Sequence, residues 1–208
     1  RIGCSFFNIS GNISHAGGKL TTTAHTFRNY NDIYQWSYNA YTTSIAERTL
    51  NTARAFMASS GYAGSHGTFF FMAGGVIAIT HVANNMFFNF SSMNYVAPAN
   101  SFIVYLPPSE TATGMLIGGT CPSFVTTNST GVAFHAGVVS PYNGSTAEDP
   151  TFYIFGGIQN RTIISTDVSA ISANGTVTAS STYTTSGWVT KTPMPRGRFG
   201  HSVVVAEP

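Results

Sequence analysis

The stretch Thr151-Phe-Tyr-Ile-Phe-Gly-Gly157 decides how the rest of the chain is interpreted. Aromatic and β-branched residues favour strands, and glycines beside a strand mark a bend or a close approach of two backbones. The stretch therefore predicts a buried strand that ends at a glycine pair. Apolar strands leading into glycines occur three more times, in residues 4–11, 68–75 and 114–119, which indicates an internal repeat.

A longer pattern follows this glycine pair. The chain continues with Asp167 at the start of a predicted third strand, an Asn-Gly pair at 174–175 that predicts a turn, Trp188, and Arg-Phe-Gly-His at 198–201. Recurrence of such features at fixed offsets indicates one supersecondary unit repeated along the chain.

A second copy precedes the 68–75 stretch. In it Asp32 corresponds to Asp167, and Arg54-x-Phe56 corresponds to Arg198-Phe199. The combined pattern resembles the kelch repeat, over residues 30–75 and 132–208, whereas residues 76–130 depart from it. The resemblance implies an all-β fold, a kelch-like β-propeller forming a single domain over residues 1–208. It also implies that the glycine pairs are structural and that the large aromatic residues pack between blades, namely Phe69, Phe70, Phe71, Trp188 and Phe199.

The two ends of the chain predict one divided blade. Residues 199–205 have the composition of a first strand, like 134–139 before Thr151–Phe155, and Ser5–Ile9 has that of a second strand. Closing the ring through this pair gives four blades and removes exposed sheet edges. The two strands pair either within one molecule or between molecules, and the second arrangement would produce a head-to-tail polymer.

Composition excludes several partners. Only 8% of residues are charged and the net charge is +2, with 43% hydrophobic residues. Without a basic patch, nucleic acid is not an expected partner. The longest apolar stretch, residues 69–79, is about half of what a membrane-spanning helix requires and contains a glycine pair, so we interpret it as a buried strand.

Seven Asn-x-Ser/Thr sequons predict N-glycosylation and therefore an extracellular, secreted or cell-surface location. About four would occur by chance in this composition, so the excess is modest. Attached sugar would also hydrate a surface with few charges. Asn8 and Asn12 are the weaker acceptors, because Asn8 falls within a predicted strand. The sites are Asn8, Asn12, Asn89, Asn128, Asn143, Asn160 and Asn174.

Cys4 and Cys121 are the two cysteines of the chain. They are too few for a disulfide framework and too far apart for a CxxC motif. A disulfide between them would close a long loop and contribute about 4 to 5 kcal/mol in the entropic model. Free thiols and intermolecular pairing are the alternatives.

No catalytic constellation is visible. The six histidines have no HExxH or similar spacing, and no nucleophile elbow, P-loop or Rossmann fingerprint occurs. His135 and His201 occupy the repeat's own histidine position. We therefore expect no enzyme, no metal site and no cofactor. Secreted copper-radical oxidases, which resemble this pattern through their kelch-like propeller, are the enzymatic alternative.

These observations predict a secreted, N-glycosylated structural or adhesive scaffold of an extracellular matrix, surface coat or filament, forming a homo-oligomer or polymer. A glycan- or protein-binding propeller module of a larger receptor is the main alternative.

Overall fold

The structure is a computed structural model of the 208-residue chain. It describes residues 5–9, 12–16, 19–21, 27–29, 33–37, 40–42, 55–64, 67–75, 78–81, 93–96, 101–106, 117–121, 132–140, 150–159, 163–176 and 182–206. Within these ranges the chain forms strands and irregular segments, and no helix. The prediction of an all-β fold is confirmed for this part of the chain.

The strands are short, as expected for a sequence rich in Thr, Ser and Gly. They are β1 (Ser5–Ile9), β2 (Asn12–Ala16), β3 (Lys19–Thr21), β4 (Phe27–Asn29), β5 (Ile33–Ser37), β6 (Ala40–Thr42), β7 (Ala58–Gly64), β8 (Gly67–Ala73), β9 (Ala78–His81), β10 (Met93–Val96), β11 (Ser101–Leu106), β12 (Ile117–Cys121), β13 (Val132–Ala133), β14 (Ala136–Ser140), β15 (Thr151–Phe155), β16 (Ile158–Gln159), β17 (Ile163–Ile164), β18 (Val168–Thr176), β19 (Thr182–Thr185) and β20 (Val189–Thr190).

Three larger antiparallel sheets follow one another along the chain. The first has the order β1-β2-β5-β6, the second β12-β11-β8-β7, and the third β14-β15-β18-β19 with β20 also paired to β18. Smaller pairings are β3-β4, β9-β10 and β13-β16-β17. Strands β1 and β14 each lie against β7, so the second sheet is flanked by the other two.

The predicted pairing between the two ends of the chain is not seen among the described residues. Strand β1 pairs with β2, with Phe6 opposite His15, and no described strand pairs with residues 201–206. Strand β2 ends directly before Gly17-Gly18. In the first sheet, therefore, β2 rather than β1 is the strand that leads into a glycine pair.

Two local predictions are also corrected. Gly118 and Gly119 lie inside β12, opposite Val104 and Ile103, and do not end a second strand. The Asn174-Gly175 pair lies within β18, where Asn174 is opposite Thr184, and does not form a turn between strands. Pairing with a neighbouring strand has overridden the local turn preference at this site.

The main core lies between the second and third sheets. Phe71 and Phe152 are 1% and 0% exposed, and their rings stack with centroids 5.3 Å apart. The amide of Val139 donates to Ser60 Oγ at 3.0 Å, which links β14 to β7. The predicted core role of Phe69, Phe70 and Phe71 is confirmed.

Trp188 and Phe199 differ in their packing. Trp188 packs against this core from its margin, with its ring 6.1 Å from that of Phe152. Phe199, in contrast, is 40% exposed, so its predicted core position is wrong for the described structure. No described strand lies beside residues 201–206 to cover it.

Candidate interaction site

One residue at the start of each of three successive repeat units has the same backbone geometry. Phe56, Phe134 and Gly200 have φ values of 56°, 57° and 59°. The amide of Phe134 donates to the carbonyl of Phe56 at 3.1 Å, and the amide of Gly200 donates to the carbonyl of Phe134 at 2.8 Å. Phe56 therefore corresponds to Gly200, and the predicted match of Phe56 to Phe199 is one residue out of register.

The glycine pairs repeat in the same way. Gly74 and Gly75 have φ values of 61° and 92°, and Gly156 and Gly157 have 64° and 93°. Gly75 donates to the carbonyl of Val132 at 2.9 Å and Gly157 to that of Arg198 at 2.7 Å, so each pair reaches the start of the following unit.

Close packing also requires glycine at these positions. A Cβ at Gly157 would lie 2.4 Å from Val132 Cγ2 and 2.7 Å from the carbonyl oxygen of Ala133. A side chain there would meet both this steric barrier and an unfavourable φ. The structural role expected for the glycine pairs is confirmed for these two.

His135 and His201 follow the residues at positive φ, in the place that Met57 takes in the preceding unit. His135 is 7% exposed and its ring lies beside Gly74. Burial lowers the pKa of His135 from 6.5 to about 3, and a hydrogen bond to the backbone of Ala73 acts in the opposite direction. His135 is therefore neutral at physiological pH and is a packing residue.

His201 is less enclosed than His135. Partial desolvation lowers its pKa, and the nearby charge of Arg198 lowers it further. Within the described residues, no group of three or more His, Cys, Asp or Glu side chains is arranged to hold a metal ion.

Asp167 belongs to a local polar network. Gln159 is 1% exposed, and its Nε2 donates to Asp167 Oδ2 at 2.8 Å and to Ser165 Oγ at 3.0 Å. The Asp167 amide donates to Ser165 Oγ at 2.9 Å. The network satisfies buried polar groups beside the glycine pair, which is a structural role.

An apolar edge lies at the end of the third unit. Five large hydrophobic residues between positions 163 and 204 are exposed. They are Ile163, Ile164, Val189, Phe199 and Val204, with exposed fractions of 41%, 47%, 51%, 40% and 85%. We call residues 199–206 the terminal edge. Burial alternates along residues 201–206, as in a strand that has one face toward the protein.

One face of the third sheet is less covered than the corresponding face of the second sheet. Counting back from the glycine pairs, Tyr153 corresponds to Phe71. Phe71 is covered by the third sheet, whereas Tyr153 and Phe155 are only half-buried. The rings of Tyr153 and Phe155 stack on each other with their centroids 6.4 Å apart. The face of the third sheet that corresponds to the covered face of the second is thus more open.

Four of the predicted modification sites lie in described strands. Asn8, Asn12 and Asn174 lie in β1, β2 and β18, and Cys121 ends β12 opposite Ser101. The remaining sites lie outside the described residues; these are Cys4, Asn89, Asn128, Asn143 and Asn160. Glycosylation and the Cys4–Cys121 disulfide therefore stay predictions.

Sequence reasoning missed the aromatic pair formed by Phe56 and Phe134. Both follow an alanine, at 55–56 and 133–134, and this repeated Ala-Phe dipeptide was the available signal. Their rings stack with centroids 4.5 Å apart and an interplanar angle of 29°.

No protein-family model and no curated protein matches the sequence. The structure is similar to the solved structure of a protein named YjhT, with a TM-score of 0.39 and 10% identity, over 96% of this chain and 73% of that one. No helix capable of crossing a membrane occurs among the described residues.

Proposed function

We propose that the chain is a secreted, N-glycosylated scaffold protein whose sheets are the blades of a kelch-like β-propeller. The observation that carries the proposal is the terminal edge, a strand-like segment with exposed apolar side chains and no described strand beside it. An edge of this kind is a template for pairing with another chain.

The repeat supports the propeller interpretation. Two glycine pairs with matching φ values bridge consecutive units, and the residues at positive φ form a chain of backbone hydrogen bonds from unit to unit. In this interpretation the three larger sheets are blades, and residues 199–205 supply an additional edge strand.

The partner of the terminal edge is a second copy of the chain. Among the described residues, β1 is the outermost strand of the first sheet. Pairing of residues 199–205 with β1 of the next molecule is heterologous and repeats head to tail, which suits a matrix, surface coat or filament.

Electron microscopy and sedimentation velocity at rising protein concentration test this assembly. Val203→Pro removes a backbone N–H from the terminal edge, whereas the matched control Val203→Thr keeps it. We expect filaments or growing oligomers for the native chain and for Val203→Thr, and monomers for Val203→Pro. Monodisperse monomers of the native chain at high concentration would refute the polymeric scaffold.

Intact mass before and after deglycosylation tests the location. A protein expressed in a secretory pathway should lose mass in steps of whole glycans. An unchanged mass would remove the support for a glycosylated extracellular protein.

A second candidate function is a protein-binding module of a larger receptor. The half-buried aromatic pair of Phe56 and Phe134 favours it, since aromatic side chains with part of their surface exposed are enriched in binding sites.

A further inference from the structure

One stretch of the chain concentrates exposed positive charge. Lys191, Arg196 and Arg198 are all exposed, and they fall within eight residues of a chain that has nine basic residues in total. The sequence has no Asp or Glu between positions 168 and 206. Only 8% of the whole chain is charged. This stretch is therefore locally positive on a surface that has few charges elsewhere.

Exposed apolar side chains lie beside these charges. Ile164 is 47% exposed, and a Cβ at Gly197, between the two arginines, would lie 2.5 Å from the Ile164 carbonyl oxygen. Ile163 and Val189 are 41% and 51% exposed. Exposed apolar groups beside polar ones are typical of interaction surfaces. We call this surface the mixed face; its residues are Ile163, Ile164, Val189, Lys191, Arg196 and Arg198.

The backbone of the basic stretch is held in place. The amide of Lys191 donates to the carbonyl of Val168 at 2.8 Å. At the other end, the amide of Arg198 donates to the carbonyl of Ser165 at 3.3 Å. Between them, residues 193–195 are Pro-Met-Pro, and each proline fixes its own φ. Binding at this face therefore requires little ordering of the backbone, which favours affinity.

We propose that the mixed face binds an acidic, partly apolar segment of a partner polypeptide. Carboxylates of the segment pair with Arg196 and Arg198, because a guanidinium group can bind a carboxylate through two parallel hydrogen bonds. Apolar side chains of the segment cover the exposed isoleucines and valine of the face. This role goes beyond the proposed assembly, which uses residues 199–205, and does not require it.

An acidic polypeptide suits the mixed face better than other polyanions do. Nucleic acids carry closely spaced charges, and tight binding to them takes more cations than the three of this face. A sulfated polysaccharide has the same high charge density and little apolar surface to place against the exposed side chains. A polypeptide that alternates carboxylates with apolar residues matches both parts of the face.

Fluorescence anisotropy with a labelled peptide tests this binding. The probe is Asp-Leu-Asp-Phe-Asp-Leu, and the matched neutral peptide has Asn in place of each Asp. Arg196→Gln combined with Arg198→Gln removes the two arginine charges from the mixed face. Lys19→Gln combined with Arg28→Gln is the control, because it lowers the net charge equally in β3 and β4, which contribute no residue to the face.

We expect saturable binding of the acidic peptide to the native chain and to the control variant, with dissociation constants within about twofold. The Arg196→Gln/Arg198→Gln variant should bind about five- to tenfold more weakly. Ile164→Asn should weaken binding about two- to fivefold. Arg196→Glu/Arg198→Glu should instead prefer the peptide Lys-Leu-Lys-Phe-Lys-Leu. All variants should keep the native circular dichroism spectrum, since the substituted arginines and Ile164 are exposed.

Several results would overturn the proposal. These are no saturable binding to the native chain, equal binding of the neutral peptide, an equal loss in the Lys19→Gln/Arg28→Gln control, and displacement of the peptide by heparin fragments at lower concentration than by unlabelled peptide. The test is independent of assembly, because it uses dilute protein. Val203→Pro, which should block assembly, should bind the acidic peptide as the native chain does.

Discussion

The ring of Phe71 in the second sheet stacks on the ring of Phe152 in the third, with centroids 5.3 Å apart and an interplanar angle of 20°. Both side chains are at most 1% exposed. This contact joins two units of the repeat, and the same face of the third unit, at Tyr153, is more open. This face is therefore less covered in the third unit than in the second.

Replacing Phe71 by alanine should destabilise the fold by about 3 to 5 kcal/mol, because it leaves a cavity between the two sheets. Phe199→Ala removes the same ring from a position that is 40% exposed and should cost about 1 kcal/mol or less. Urea unfolding at neutral pH measures both. Equal losses would mean that Phe199 is buried in solution, contrary to the described structure.

Gly157→Ala should destabilise the protein by about 2 kcal/mol or more, since the new methyl group meets backbone and side-chain atoms at an unfavourable φ. Gly187→Ala, in open space, should change the free energy of unfolding by about 0.5 kcal/mol or less. A tolerated Gly157→Ala substitution would show that the glycine pair does not bridge the units as described.

Acidification should destabilise the fold through His135. The pKa of His135 is about 3 in the folded state and 6.5 in the unfolded state. Between these pH values the unfolded state therefore binds more protons than the folded state. The contribution of His135 to the free energy of unfolding is therefore fully present above pH 6.5. It is lost as pH decreases, which lowers the free energy of unfolding by on the order of 4 kcal/mol at pH 3.

His135→Met places at this position the residue that the preceding unit has at Met57. The slope of unfolding free energy against pH between 6.5 and 4 should become smaller in this variant. Chemical unfolding across that range measures the slope. If the native chain and the variant had the same slope, His135 would not be the buried neutral group.

Much of the repeat could be predicted from local sequence. The strands around Thr151–Phe155 follow from alternation and glycine pairs, which act within a few residues. The choice of strand partner could not be predicted in the same way. β1 and β2 are both short and apolar enough to be second strands, and only their pairing distinguishes them.

The site was less predictable than the fold. The match of Phe56 to Gly200 rests on φ, which the sequence shows only indirectly, since phenylalanine and glycine share no side-chain property. The exposure of Phe199 depends on what lies beside the terminal edge, and no local pattern carries that information.

Hydrogen exchange at the amides of residues 201–205, measured at low and at high protein concentration, tests whether the terminal edge pairs between molecules. We expect fast exchange in dilute solution, slower exchange at high concentration, and fast exchange at both for Val203→Pro. Strong protection in dilute solution, equal to that of β7 and β14, would refute pairing between molecules, because these residues would then already be paired within a single molecule.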